Sequence, residues 1–368
     1  MSKKHKILLV GPINNSGSGG RIEEMKVWAN SIESEGFDVS AYSMFNSKFK
    51  VGNAKMIESA NIEFGFINKF FPFMIPLFIR IWSSKFFKRK RKNFYNSKSW
   101  FSFASSFDRI VLFINDTSDE RLIFESELSI PVALRFTGIL HNLKRIENDS
   151  KRLFQSSRYY IFHDKSLLRG YVPGIESKFM DQTVLNEDSL VNLPITSNLK
   201  KFGMVGLFMA VKQISSVILI FKSFPEFDLF LYGDGELKTE YENLISEHKI
   251  SNVFFKGYFS PDNIDQVYSE FDCLIINSLN ETGPMTGVEA MAAGKLILSR
   301  PVGAMESRLT NPDLIFNSDQ ELMDVFKEVQ SWSVNRVLAE KTNLRERYLD
   351  RYSNESIKHQ ILTCLELK

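Results

Sequence analysis

The sequence of 368 residues lacks most signs of a secreted or membrane-spanning protein. It has only two cysteines, Cys273 and Cys364, which build neither a disulfide framework nor a CxxC motif. We therefore expect a chain that folds in a reducing compartment, the cytoplasm. The apolar run at 7–10 is too short for the core of a signal peptide. The longest run, at 70–79, contains two prolines and is about half as long as a membrane-spanning helix, so no span is expected.

The whole chain is nearly neutral, but its two parts carry opposite net charges. The formal net charge is +2. Residues 1–198 contain 28 Lys and Arg and 20 Asp and Glu, whereas residues 199–368 contain 18 and 24, so the two parts carry +8 and −6. A basic N-terminal part favours an anionic partner such as phosphate, lipid or nucleic acid.

Hydrophobic residues make up 43% of the chain and include 33 Phe, which is enough for two domains of about 150–200 residues each. Short apolar runs alternate with turns and amphipathic helices, a pattern typical of βα units and parallel sheets. Predicted strands are 7–10, 39–43, 109–114, 131–136, 159–163, 202–205, 227–232, 253–256, 273–277, 296–299 and 314–316. Predicted helices are 20–35, 210–223, 236–249, 261–270, 287–294 and 319–330, and 331–368 is predicted to be helical throughout.

The pattern predicts an α/β fold of two Rossmann-like, doubly wound domains that face each other across a cleft. We expect an N-terminal domain at 1–190, a linker near 186–199 where strand patterning lapses, and a C-terminal domain at 199–335. The last segment, 336–368, is expected to form helices that cross back to the N-terminal domain. Ligands of such sheets bind at the carboxyl ends of the strands.

The strongest functional signal follows the strand at 273–277. A loop rich in Gly and Pro presents Glu281, and a helix is predicted to begin near Thr286 or Gly287 with Glu289 in its first turn. Backbone N–H groups and the positive end of a helix form an anion site, worth roughly 0.3–2 kcal/mol for a phosphate. Glu289 can accept two hydrogen bonds from a ribose, and Glu281 can reach sugar hydroxyls. By themselves, the two residues can equally be a helix-dipole acid and a solvated loop acid.

The segment 281–297 reads ETGPMTGVEAMAAGKLI. It resembles the retaining glycosyltransferases of family 4 (glycosyl transferases group 1), which have the GT-B fold and carry two glutamates separated by seven residues in a pattern like EGFGxxxxEAMAxGxPV. The resemblance extends to FGMVG at 202–206 with Lys212, to LYGDG at 231–235 and to VFFKGYF at 253–259. It covers 200–310 well and rests on weaker signals in the first half.

The resemblance implies a donor site in the C-terminal domain. Glu281 would contact the donor sugar, Glu289 would bind the ribose, and Lys212 would neutralise the departing diphosphate. The backbone around Gly283, Pro284, Met285 and Thr286 would hold sugar and diphosphate, and Gly206, Gly257 and Tyr258 would complete the donor site, the last two at the base. Breaking a glycosyl–phosphate bond builds negative charge on the diphosphate, so a cation and fixed N–H donors at the leaving group are the main requirement.

One residue departs from the family pattern. The family usually has an arginine after the glycine that matches Gly206, and here Leu207 stands in that place. Either Lys212 suffices, or another base such as Arg21 or Arg300 compensates, or the activity is weak or lost. We expect no metal and no other cofactor, because no D-x-D motif follows a strand and the segment around Asp234 reads as a turn between strand and helix.

The first half offers weaker candidates. A glycine-rich segment follows the strand at 7–10, and in similar glycosyltransferases a Gly-Gly pair at this place faces the donor phosphates and the acceptor. This implies donor-binding roles for Gly19, Gly20 and Arg21, although a flexible loop would show the same composition. Many relatives keep a catalytic histidine after the strand that matches 131–136. Here His141 is the candidate, displaced along the loop, and a plain loop residue is the alternative.

Residues 66–100 form the most unusual segment, with nine Lys and Arg, several aromatics and no acid. We predict that this segment lies on an anionic membrane surface, since basic residues beside Trp and Phe suit lipid headgroups. The predicted membrane-binding residues are Trp82, Lys88, Arg89, Lys90, Arg91 and Lys92. A packed helix with a solvated basic end is the alternative. No nucleic-acid partner is expected, because the sequence shows no recognised binding module.

Together these features predict a retaining, metal-independent glycosyltransferase with a nucleotide-sugar donor and a cell-envelope or lipid-linked saccharide acceptor. We expect it in the cytoplasm, peripheral on the inner face of the cell membrane. Two other classes stay open. One is a nucleotide-sugar epimerase or phosphorylase on the same scaffold, which would need no acceptor or would need orthophosphate. The other is a non-catalytic subunit that binds nucleotide or glycan, which Leu207 supports.

Overall fold

The computed structural model describes residues 5–11, 20–43, 51–57, 102–114, 130–137, 157–165 and 176–367. The chain divides into two compact units. The first unit comprises Met1–Met180 with Lys358–Lys368, and the second comprises Asp181–Ile357. Across the described residues, no helix combines the length and the apolar character needed to cross a bilayer.

The first unit contains a parallel sheet of seven strands in the order β3-β2-β1-β4-β5-β6-β7. The strands are β1 Lys6–Gly11, β2 Asp38–Ser43, β3 Lys55–Ile57, β4 Arg109–Ile114, β5 Val132–Phe136, β6 Ser157–Phe162 and β7 Glu176–Phe179. Central strands are covered on both faces, which is why their sequences are continuous apolar runs. Helix α1, Gly20–Ser34, packs on this sheet, where the Trp28 ring meets Phe113 edge to face at 5.4 Å.

A charged cluster is buried in the first unit. Arg135 in β5 donates from Nε to Glu24 Oε1 at 2.6 Å and from Nη1 to the carbonyl of Met180 at 2.6 Å. His163 Nε2 lies 3.4 Å from Glu24 Oε2. Burial by itself would raise the pKa of Glu24, but the charges of Arg135 and then His163 outweigh it and lower that pKa to about 2. Such a cluster is stable only while every charge keeps its partner.

The second unit contains a parallel sheet of five strands in the order β10-β9-β8-β11-β12. Its strands are β8 Lys201–Val205, β9 Asp228–Tyr232, β10 Val253–Gly257, β11 Cys273–Ile276 and β12 Leu296–Ser299. Its helices are α2 Glu187–Val191, α3 Ile214–Phe221, α4 Lys238–His248, α5 Ile264–Ser269, α6 Met285–Ala292, α7 Met305–Arg308, α8 Asp319–Gln330 and α9 Val334–Arg351. The chain runs outward from β8 to β10 and then returns to β11 on the other side of β8. The sheet therefore has its switch point between β8 and β11, where doubly wound sheets bind ligands.

The core of the second unit is rich in phenylalanine. Phe326 of α8 lies 4.5 Å, centroid to centroid, from Phe202 of β8 and meets Phe221 of α3 edge to face at 5.2 Å. Both Phe202 and Phe326 are fully buried. This aromatic packing fastens helices on one face of the sheet and leaves the loops at the strand ends available for ligands.

The predicted α/β class with parallel sheets is confirmed. Ten of the predicted strands are present, with ends shifted by at most two residues. The strand predicted at 314–316 is wrong. Pro312–Leu314 forms a 3₁₀ turn, because Pro312 cannot continue a ladder, and only Ile315 makes an isolated bridge to Ser299. Strands β3 and β7 were not predicted, since both are short and the sequence of β7, ESKF, carries no apolar run.

The segment predicted as helical from 331 to 368 contains two helices rather than one. Helix α9 ends at Arg351, and helix α10, Asn354–Cys364, follows. The break coincides with Tyr352, whose backbone is non-helical at φ −121° and ψ 0°. Within the predicted linker 186–199, α2 forms a short helix.

Candidate active site

The candidate site lies at the carboxyl edge of the second sheet, at its switch point. The loop after β8 begins with Gly206, and the loop after β11 begins with Asn277 and Ser278. These residues line one pocket together with Lys212 and Thr286. Parallel strands bring their carboxyl ends to one edge, which is why residues distant in sequence meet here.

Lys212 and Glu281 form an ion pair in this site. Lys212 ends the 3₁₀ turn Ala210–Lys212, and its Nζ lies 2.5 Å from Oε1 of Glu281. The side chains are 24% and 21% exposed. Both charged groups are thus partly desolvated but still accessible to a ligand. When no ligand is bound, each is the ion-pair partner of the other. A bound phosphate could replace Glu281 as the partner of Lys212, and a sugar hydroxyl could replace Lys212 as the partner of Glu281.

Two glycines allow the loops to come close. Gly206 has φ +144°, a conformation that residues with a side chain avoid, and it turns the chain from β8 toward Lys212. Gly303 has φ +53°, and a Cβ atom there would overlap the carbonyl oxygen of Thr282. Any larger residue at 303 would push the Glu281 loop away from its place.

Glu289 is held by a residue that the sequence did not indicate. Helix α6 begins at Met285, so Glu289 lies in the second turn of the helix. The prediction that it lies in the first turn is wrong. Its Oε2 accepts a hydrogen bond from the Tyr268 hydroxyl at 2.8 Å, and the same hydroxyl lies 3.0 Å from the carbonyl oxygen of Thr286. Burial, and then the charge of Glu289, raises the pKa of Tyr268 well above its ordinary value. Tyr268 therefore stays a donor and fixes the Glu289 carboxylate.

The backbone between Glu281 and α6 is also anchored. Arg308 of α7 is fully buried and donates from Nη1 to the carbonyl of Pro284 at 2.6 Å. The side-chain amide of Gln182 donates to the carbonyl of Gly283. Arg308 in turn binds the carboxylate of Asp181. Three residues outside the motif thus fix the loop that the sequence singles out, and no local pattern marks any of them.

The predicted base-binding residues lie at the carboxyl end of β10, on the same edge of the sheet. Gly257 has φ +78°, and its carbonyl accepts from the backbone N–H of Gly233 at 2.8 Å. The Tyr258 side chain is 70% exposed, and its ring stacks on Phe259 at 6.3 Å. An exposed aromatic ring at a strand end is a suitable surface for a base.

The environments of Leu207 and Arg300 show whether another base replaces the arginine that the family usually has at the diphosphate. Leu207 supplies no charge, and because it is 63% exposed it is not part of the hydrophobic core either. Arg300 donates from Nε to Asn277 Oδ1 at 2.6 Å and from Nη2 to Asp319 Oδ1 at 3.0 Å. Because these partners occupy its guanidinium, Arg300 is not a spare cation for a diphosphate. Lys212 is the basic residue that lines the pocket in the part of the chain that the structure describes.

Several predicted residues cannot be placed in this way. Gly19 and His141 lie outside the described residues. Gly20 and Arg21 are the first two residues of α1, and only the backbone of these two residues is described. The predicted membrane-binding residues also lie outside the described residues, namely Trp82, Lys88, Arg89, Lys90, Arg91 and Lys92.

Part of the chain is similar to known proteins. Residues 187–348 match the family model described as glycosyl transferases group 1. An uncharacterized glycosyltransferase of Methanocaldococcus jannaschii is 27% identical over 161 residues, which are 43% of this chain and 40% of that protein. The match therefore spans less than half of that relative.

Solved structures match nearly the whole chain, and two of them are the following. Sucrose-phosphate synthase from Thermosynechococcus elongatus has 14% identity and a TM-score of 0.71, with 99% of both chains covered. HepE of Anabaena, in complex with UDP and glucose, has 15% identity and a TM-score of 0.73, with 98% of this chain and 99% of that chain covered. At these identities the likeness shows the fold, and it confirms the predicted GT-B type. The family match confirms the predicted resemblance to the glycosyl transferases group 1, which lies in residues 187–348.

Proposed function

We propose that the protein is a retaining, metal-independent glycosyltransferase that moves a sugar from a nucleotide-sugar donor to a cell-envelope or lipid-linked saccharide. The observation that carries the proposal is the Lys212–Glu281 pair, 2.5 Å apart at the switch point of the second sheet. It stands beside the start of α6, whose helix dipole favours a phosphate. A cation, a sugar-binding acid and a phosphate-binding helix end are thus side by side.

The reaction needs little more than these groups. As the glycosyl–phosphate bond breaks, positive charge grows on the sugar carbon and negative charge grows on the diphosphate. The oxygen of an acceptor hydroxyl forms the new bond to that carbon, and its proton leaves with the diphosphate. In this proposal Lys212 leaves Glu281 and binds the departing diphosphate, while Glu281 accepts a hydrogen bond from a sugar hydroxyl. Glu289, fixed by Tyr268, binds the ribose. Fixed charges of this kind act most strongly where charge develops in the transition state.

The donor is the first thing to test. UDP and glucose are bound in the HepE structure, so UDP and UDP-glucose head a panel of nucleotides and nucleotide sugars for thermal-shift measurements. Binding by the wild type that weakens in Lys212→Met and Glu289→Gln supports the donor site. Full-strength binding by both folded variants would remove the basis of the proposal.

A second function has one specific observation in its favour. Leu207 is exposed where the family usually has an arginine, and Arg300 is occupied by other partners. A protein with one cation fewer at the diphosphate can bind a donor without transferring its sugar. Donor binding in the panel without turnover on any acceptor would favour this non-catalytic function over the transferase.

We also propose that the acceptor is met at the inner face of the cell membrane, with residues 66–100 on the lipid surface. The support is the composition of the segment, which has nine basic residues and no acid. A lipid-linked acceptor would then be presented at the surface on which the enzyme lies. The membrane claim is independent of the donor site and is tested separately.

A further inference from the structure

A groove of about 1230 Å³ lies in the second unit, away from the candidate active site. Lys201, which begins β8, lines it, as do Asp272 and Lys295, which directly precede β11 and β12. The groove therefore lies largely at the amino ends of these strands, whereas the candidate donor site lies at the carboxyl ends. Since substrates of doubly wound sheets bind at the carboxyl ends, the groove is not explained by the proposed reaction.

Lys295 is the unusual residue of this groove. Its side chain is 6% exposed, and in the described part of the chain its ammonium has neither a hydrogen-bond acceptor nor a carboxylate at ion-pair distance. The neighbouring Lys341 is only 1% exposed, and it donates to the carbonyls of Thr196 at 2.9 Å and Asn198 at 2.7 Å. Most of the Lys295 side chain is buried, while its ammonium keeps access to the groove, where an anion could replace water beside it.

The charges around Lys295 make the need for an anion greater. Burial, and then the like charge of Lys341, lowers the pKa of Lys295 to about 8, while Asp272 opposes the shift and Arg345 adds to it. Asp272 lies beyond ion-pair distance of Lys295, and its Oδ2 accepts the backbone N–H groups of Lys200 and Lys201 at 3.0 Å each. Among the described residues, Asp272 thus offsets the charge of Lys295 only in part and from beyond ion-pair distance.

The rest of the lining contains three lysines, Lys200, Lys201 and Lys256, and two acids, Glu226 and Glu270. Glu270 is paired with Lys256, so these two charges cancel. Lys200 and Lys201 have no carboxylate at ion-pair distance within the described ranges, and the Lys201 ammonium lies 5.8 Å from the centre of the Phe230 ring. Three lysines without an acidic partner thus line one groove.

We propose that this groove binds a small oxyanion, a phosphate- or carboxylate-bearing molecule, with Lys295 as its buried partner and Lys200 and Lys201 beside it. The groove is large enough for a metabolite, and Phe230 and Trp332 supply apolar wall beside the lysines. The site is separate from the donor site and does not depend on the proposed function.

Thermal unfolding of the full chain tests the proposal with two probes, sodium orthophosphate and sodium succinate, against sodium chloride at equal ionic strength. We expect a saturable rise of the melting temperature with at least one probe, because a ligand that binds only the folded state stabilises it. The rise should be lost in Lys295→Met and kept in Lys295→Arg. It should also be kept in Lys212→Met, which would lose any phosphate bound at the donor site, and in Lys222→Met, an exposed lysine outside the groove.

A second measurement needs only the wild type. The protein is acetylated briefly with acetic anhydride, and each lysine is quantified by mass spectrometry. At ten times its dissociation constant, the effective probe should slow acetylation of Lys295 by about tenfold and leave Lys222 unchanged. The proposal is overturned by an absence of saturable stabilisation with both probes, by equal stabilisation of Lys295→Met, or by Lys295 acetylation that neither probe slows. Stabilisation lost only in Lys212→Met would assign the anion to the donor site instead.

Discussion

Arg308 and Asp181 form a two-pronged ion pair, with Nε 2.8 Å from Oδ2 and Nη2 2.5 Å from Oδ1. The arginine side chain is fully buried and the aspartate side chain is 10% exposed. The remaining nitrogen, Nη1, donates to the carbonyl of Pro284, directly before α6. One guanidinium therefore ties the first residue of the second unit to the loop that carries the candidate phosphate site.

Arg308→Lys should lower donor turnover at least about tenfold, because a lysine keeps the charge but cannot bind a carboxylate in two places and a carbonyl at once. Arg308→Met should in addition destabilise the protein by about 3–5 kcal/mol, since it leaves Asp181 without its partner. Steady-state kinetics and chemical unfolding check the two effects. If Arg308→Lys is stable and fully active, the pair does not position the loop.

The Glu24 cluster predicts acid sensitivity of the first unit. The pKa of Glu24 is lowered from 4.5 to about 2, so the folded state holds its proton less tightly than the unfolded state. The resulting stability, about 3 kcal/mol, is present above pH 4.5 and is lost as the pH falls toward 2. Glu24→Gln should remove this dependence and cost about 3–5 kcal/mol at neutral pH, because Arg135 then keeps a buried charge without its counter-charge. Urea unfolding at several pH values measures both, and equal pH slopes for the variant and the wild type would contradict the prediction.

Residues 66–100 should bind anionic vesicles. A basic residue near such a surface contributes about 1 kcal/mol, so if half of the nine engage, the gain is roughly 4 kcal/mol, or millimolar binding. Insertion of Trp82 or of phenylalanines would strengthen it. Co-sedimentation with phosphatidylglycerol vesicles should show binding at low salt that weakens at high salt, since salt screens the charges. Vesicle binding should be abolished when neutral residues replace Lys88, Arg89, Lys90, Arg91 and Lys92. Wild type left in the supernatant at low salt would refute the membrane claim.

Transfer should proceed in EDTA and with retention at the anomeric carbon. The leaving diphosphate has Lys212 and the start of α6 as its proposed partners, so no cation from solution is required. Retention is expected from the resemblance to the retaining family. NMR of the product in metal-free buffer reports both. Activity that is lost in EDTA and restored by magnesium or manganese would overturn the first expectation, and an inverted product would overturn the second.

The sequence was most informative where structure is local. Strands such as β11 and β12 are buried on both faces, so each is a short apolar run between turns, and β12 was predicted with its observed ends. The edge strand β3, with the sequence KMI, has no such run and was missed. The start of α6 was placed one or two residues late, because Pro284 and Met285 carry no strong capping signal.

The contacts that complete the site could not be predicted. Tyr268 and Glu289 are 21 residues apart in the sequence, and Asp181 and Arg308 are 127 apart. They meet only because the folded second unit packs α5 against α6, and α7 against the segment that begins at Asp181. Lys212 and Glu281, 69 residues apart, were predicted to share one site only through the resemblance, and their ion pair was not predicted. A lysine after a glycine turn has no distinctive pattern of its own.

The most direct test of the account is the rate of sugar transfer in Lys212→Met and Glu281→Gln, measured with the donor that gives the largest thermal shift. Both variants should bind acceptor and stay folded but lose at least about tenfold in kcat, or 1.4 kcal/mol of transition-state stabilisation. Lys222→Met, an exposed lysine of the same unit, should transfer at the wild-type rate. Wild-type rates from folded Lys212→Met and Glu281→Gln proteins would contradict the assignment of this pair as the centre of a glycosyltransferase site.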